Sequence, residues 1–183
     1  MPDVFCSGSS QLTSPRLKVT KLLTPSGDEN FTLKGSWMLD PASPPPNPVA
    51  EGIRFAVYDP FGNVIFQRIV PGGAAVSRTS PGWTLSLDGH VAKYRDPDGI
   101  QGDITKVVIA SSKRVPGLFT VSIAGKLGDF TVSSAQAPVT VRVVLGNQSR
   151  ALLGQCASYT FNASGGMRPR CDFSSTGNTF VCR

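Results

Sequence analysis

One order of segments runs through the chain twice. LKVTKLL, NFTLKGSWML, GIRFAVYD and GNVIFQ lead to WTLSLDGHVAKYRD between Leu17 and Asp96; ITKVVIA, LFTVSIAGKL, VTVRVVLG and RALLG lead to CASYTF and a Cys-rich end between Ile104 and Arg183. The match lies in pattern and order rather than identity. Shared landmarks are Thr20-Lys21 against Thr105-Lys106, Phe31-Thr32 against Phe119-Thr120, and Gly62-Asn63 against Gly146-Asn147. A repeated supersecondary unit constrains architecture before any motif is considered. The expectation is an all-β chain of two tandem, internally duplicated β-sandwich-like repeats: a lead-in over 1–15, a first repeat over 16–98 and a second over 99–183.

Local patterning agrees with strands. Phe31, Leu33, Gly35 and Trp37 alternate with Thr32, Lys34, Ser36 and Met38, the period of a half-buried strand. Thr24-Pro25-Ser26-Gly27, Pro60-Phe61-Gly62 and Asp88-Gly89 read as turns. The proline-rich stretch from Pro41 to Pro48 can be neither strand nor helix interior, because each proline lacks a donor, so it reads as an exposed crossover. Asn147 to Gln155 holds the nearest approach to helical spacing and is too short for more than a turn or two. Fifteen Pro and nineteen Gly suit short strands with many turns. No apolar run approaches the roughly 20 residues of a membrane span. Repeated alternating strands, sheet-switching loops and terminal cysteines resemble tandem immunoglobulin- or fibronectin-like modules of secreted and surface proteins, although the Cys–Trp–Cys spacing of true immunoglobulin domains is missing.

Four cysteines, Cys6, Cys156, Cys171 and Cys182, lie in the two chain-end segments. None forms a C-x-x-C pair and His90 is the only histidine, so disulfides fit better than zinc. Pairing Cys171 with Cys182 and Cys6 with Cys156 closes a terminal hairpin and joins the chain ends. Pairing Cys156 with Cys171 and Cys6 with Cys182 fits nearly as well, since four cysteines allow three connectivities. Disulfides place the chain outside the cytosol. Met1-Pro2-Asp3 carries no leader signature, so the expected form is a secreted or cell-surface chain without its signal peptide.

The net charge is +6, and it is unequally shared: residues 1–98 hold nine Lys and Arg against nine Asp and Glu, residues 99–183 nine against three. Lys113, Arg114, Arg150, Arg168, Arg170 and Arg183 in the second half are therefore candidate polyanion contacts. Asp96, Asp98 and Asp103 form a weak calcium candidate that lacks the Glu an EF-hand loop requires; no other metal and no cofactor is indicated. No Ser nucleophile signature surrounds His90, Glu29 and Glu51 fall in turn regions, and no nucleotide-binding or RNA-binding fingerprint occurs. The expected function is a non-catalytic extracellular structural, adhesion or assembly module that self-associates through strand edges, the segment RALLGQCASYTF above all. The alternative is a carbohydrate-binding module for a polysaccharide, including an acidic one, with Trp37, Trp83, Tyr58, Tyr94 and Tyr159 as sugar-stacking candidates if they are exposed.

Overall fold

A computed structural model describes residues 6, 10–40 and 43–183. The strands, in chain order, are β1 (Ser10–Gln11), β2 (Thr13–Thr20), β3 (Glu29–Met38), β4 (Ile53–Tyr58), β5 (Val64–Val70), β6 (Gly82–Leu85), β7 (Val91–Arg95), β8 (Ile104–Ser111), β9 (Leu118–Gly128), β10 (Thr140–Val144), β11 (Cys156–Thr160), β12 (Cys171–Phe173) and β13 (Thr179–Cys182). Two short helices, α1 (Pro48–Glu51) and α2 (Gln148–Leu152), and one 3₁₀ turn complete the described residues. The chain is an all-β sandwich. One sheet has five strands in the order β1-β11-β10-β4-β5, the other eight in the order β12-β13-β2-β3-β9-β8-β7-β6.

Both sheets take strands from both halves of the sequence. In the larger sheet, β3 pairs with β9 across the centre, while the hairpin β6–β7 packs against β8 and the hairpin β12–β13 against β2. Each half contributes the same series: a hairpin to the large sheet, two strands to the small sheet, then a closing hairpin to the far flank of the other half. A single buried apolar cluster runs through the space between the sheets, drawing Phe31 and Trp37 from the first half and Ile109, Ile123 and Phe161 from the second. Alternation explains the orientation: Leu17, Val19, Phe31 and Leu33 point inward, so Arg16, Lys18, Thr32 and Lys34 point out.

At the centre, Phe31 stacks on Phe55 of the facing sheet at 5.2 Å and on Phe130 at 5.3 Å, and meets Phe66 edge-on. Gly125 and Gly128 on β9 leave room for the Phe130 ring, which any Cβ there would strike. Arg68 of β5 lies over the same ring and donates to the carbonyls of Gly102 and Asp129, tying the small sheet to the loops of the large one.

Two disulfides form, Cys6–Cys156 and Cys171–Cys182. The second joins directly opposed residues of β12 and β13. The first sits on the outer face of the five-stranded sheet, where Ala56, Tyr58, Val144 and Ala151 of α2 make a small second cluster with Cys6 packed against it. That outer face is therefore partly roofed. Two disulfides fit an extracellular protein; among the described residues no helix is long and apolar enough to cross a membrane.

Three local readings change. Pro48 opens α1 instead of closing the proline-rich loop, because proline is preset for the first helical position and the Asn47 side chain accepts from the Ala50 N–H. Asp88-Gly89 belongs to a longer loop in which Ser86 N–H donates to Val91 O and only Gly89 has a positive φ, +73°. The third concerns edges. β11 is paired on both sides, by β10 and by the parallel β1, and Leu12 N–H donates to Ser158 O, so the RALLGQCASYTF strand is not an open edge. The N-terminal segment does the covering.

Because every long-range seam joins the two halves, residues 1–98 and 99–183 produced separately should each lack a cooperative thermal transition by circular dichroism, and mixing them under oxidising conditions should restore one. Two independent transitions from the separate halves would contradict the shared core.

Candidate functional site

The outer faces of the two sheets differ sharply in what covers them. On the eight-stranded sheet the outward positions stand bare, and they sort by charge. One row across the strands reads Lys18, Thr32, Ala124, Lys106, Arg95; the next reads Arg16, Lys34, Ser122, Val108, Lys93. Lys126 extends the face at the end of β9. None of these seven cations forms an ion pair among the described residues. Across β2, β3, β6, β7, β8 and β9 the one acidic residue is Glu29, which is buried and accepts from the Gly27 N–H and the Thr131 hydroxyl.

Two depressions mark this face. The larger, about 680 Å³, is lined by Lys93, Arg95, Lys106 and Lys126 from the sheet and by Arg78 from the loop before β6, with Ala124 and Thr105 among its uncharged walls. The smaller, about 420 Å³, lies between Arg16 and Lys34 over Ser36, Thr120 and Ser122. Val108 and Ser122 of the smaller adjoin Lys106 and Ala124 of the larger along the same strands, so the two depressions are neighbours on one face, together called the trough.

Within the trough like charges face each other. Arg16 is directly opposite Lys34, and Arg95 directly opposite Lys106. Such cross-strand pairs oppose folding, where mixed pairs would favour it. A face built this way meets anions with several unpaired donors and no competing carboxylate.

The residues singled out in the sequence fall elsewhere. Lys113 is held by Asp88, Arg150 by both carboxylate oxygens of Glu51, and Arg170 by Asp172. Arg114 is exposed in the turn between β8 and β9, Arg168 lies in the loop before β12, and Arg183 ends the chain. The six do not converge. Asp96 is buried and takes the Gln101 N–H, with the Tyr94 hydroxyl 3.4 Å away; Asp103 faces Arg68; Asp98 is exposed. Burial, and then the neighbouring Asp96 carboxylate, push the Tyr94 hydroxyl upward, so it remains a donor. The three acids do not come together as a cation-holding group among the described residues.

Of the sugar-stacking candidates, Trp37, Trp83, Tyr94 and Tyr58 are buried and Tyr159 is half-buried. Among the described residues the one exposed aromatic is Phe61 at the tip of the β4–β5 hairpin. His90 Nδ1 and Ser111 Oγ lie 2.9 Å apart, a contact no local motif foretold, because the partners are joined by the β7–β8 pairing rather than by sequence. Neither lines either of the two depressions above. Comparison with known proteins found no family model that matches the chain, and no curated protein or solved structure significantly similar to it.

Two outcomes follow from these charges. Lys106→Gln removes one of a like-charged pair, so it should stabilise the free protein by on the order of half a kcal/mol in chemical denaturation; added salt should shrink the gain. The Arg150 hydrogen bond holds the Glu51 carboxyl below its usual 4.5. A lowered carboxylate contributes stability that is present above the ordinary value and lost as pH falls through the folded one. Melting curves should therefore fall with acidification below 4.5, and less steeply in Arg150→Gln.

Proposed function

We propose that this protein is a non-catalytic extracellular module for adhesion or assembly, built from two copies of one β unit, whose working surface is the bare outer face of the eight-stranded sheet. The observation that carries the reading is the sorting of charge: seven cations without an ion pair and no outward carboxylate across six adjacent strands, on the outer sheet face that no helix or disulfide covers among the described residues. Structural economy alone would favour mixed signs on a solvated sheet. The two disulfides fit export, and the same strand series in both halves is what a duplicated unit with exchanged closing hairpins produces. A sugar-stacking platform has no support, since the aromatics it needs lie inside the sandwich.

The decisive experiment separates this face from net charge. The protein should bind immobilised heparin at low salt. A Lys93→Gln, Arg95→Gln, Lys106→Gln variant should elute at much lower salt, because fewer phosphate-like or sulfate contacts release fewer counterions. A Lys113→Gln, Arg114→Gln, Arg183→Gln variant loses the same charge elsewhere and should elute close to the parent. Equal shifts in both variants, or no retention of the parent, would overturn the assignment of the face.

A further inference from the structure

We infer that the partner of this face is a linear acidic polysaccharide, and that one chain of it crosses both depressions. The inference rests on the reading above and adds the ligand class and its path. Each depression contains one like-charged cross-strand pair, Arg95 with Lys106 in the larger and Arg16 with Lys34 in the smaller. A single sulfate or carboxylate set between two such cations relieves their repulsion and is held by both, with the bidentate fork of arginine available at each pair. The trough thus has two anion subsites.

Their spacing decides the size of the ligand. Between the two pairs lie three strand spacings, and the pairs are offset by two residues along the strands, which puts them about 15 Å apart. No small anion reaches both. A polymer with regularly placed acidic groups does, and its second contact then forms at high effective concentration.

The floor between the subsites chooses among polymers. Its outward side chains are Thr32, Ser122, Ala124 and Val108, none larger than valine and two of them hydroxylated. They leave space for a chain of rings and offer hydrogen bonds to its hydroxyls. No aromatic side chain stands exposed on this face among the described residues: Trp37, Trp83 and Tyr94 all belong to the buried core. Single-stranded nucleic acid would therefore gain phosphate contacts without the base stacking that gives most of its affinity on such platforms. The larger depression, with five cations around it, is the stronger subsite.

The test is titration calorimetry with three probes: long heparin, long polygalacturonate as the carboxylated counterpart, and a sulfated heparin disaccharide. Long chains should bind more tightly than the disaccharide. Arg16→Gln with Lys34→Gln should weaken the long chains at least about tenfold and leave disaccharide binding unchanged, whereas Arg95→Gln with Lys106→Gln should weaken both. These positions are exposed, and a cooperative melting transition at or above the parent's verifies the fold of each variant. Equal affinity for long chain and disaccharide, or an Arg16 and Lys34 variant that binds like the parent, would overturn the two-subsite path while the proposed binding face stands. Competition by poly(dT) or polyglutamate as effective as heparin at equal charge would overturn the polysaccharide assignment. Failure of every polyanion to bind would remove the proposed function as well.

Discussion

The sandwich is held by the meeting of its two inner faces around Phe31. That ring touches Phe55 and Phe66 of the small sheet and Phe130 beyond the end of β9, so one side chain of a central strand contacts both layers and one long-range loop. Burying a large aromatic side chain contributes about 1.5–3 kcal/mol through area alone, with more from favourable ring geometry. Everything outward follows from that inward choice. A strand that turns Leu17, Val19, Phe31 and Leu33 to the core must turn Arg16, Lys18, Thr32 and Lys34 to solvent, and the register across β2, β3, β9, β8 and β7 then lines those residues up in rows.

The two outer faces are treated differently. On the small sheet, α2 and the Cys6–Cys156 bridge sit over Ala56, Tyr58 and Val144, and the Arg142 guanidinium lies 4.5 Å over the Tyr58 ring. On the large sheet no helix or disulfide lies over the outer face among the described residues, and like charges are left facing each other. Edge protection is also uneven in kind. β1 covers β11, and the segment around Ala74 covers β6 by exchanging backbone hydrogen bonds with Trp83. Open sheet edges are a liability, and here short pieces of the chain itself close two of them.

Fold class was legible because alternation is local: the 31–37 run and the two closing hairpins announce themselves within a few residues. The Cys171–Cys182 bridge was legible for the same reason, as the two ends of one hairpin. The binding face was not. Counting charge by halves pointed to 99–183, since the first half balances nine against nine. Yet the acids of the first half sit mainly in loops, as Asp28, Asp59 and Asp88 do, while Arg16, Lys18, Lys34, Lys93 and Arg95 occupy outward strand positions. Only the pairing of β3 with β9 and of β7 with β8 brings these to one surface beside Lys106, and neither pairing leaves a local trace. Lys113, Arg150 and Arg170 were misleading in the opposite way, because their partners Asp88, Glu51 and Asp172 neutralise them in the fold. The β11 edge was misread because a two-residue strand such as Ser10–Gln11 carries no periodicity to detect.

The placement of the disulfides has a mechanical consequence. A pull applied beyond Cys6 on one side and beyond Cys182 on the other enters through the first bridge at Cys156 and leaves through the second at Cys171. The chain between Cys6 and Cys156, which includes most of both sheets, carries no tension. Only the stretch from Cys156 to Cys171 can lengthen, to about 50 Å at full extension, against roughly 600 Å for the same span without bridges. A tether so arranged would grow taut early and leave its basic face folded under load.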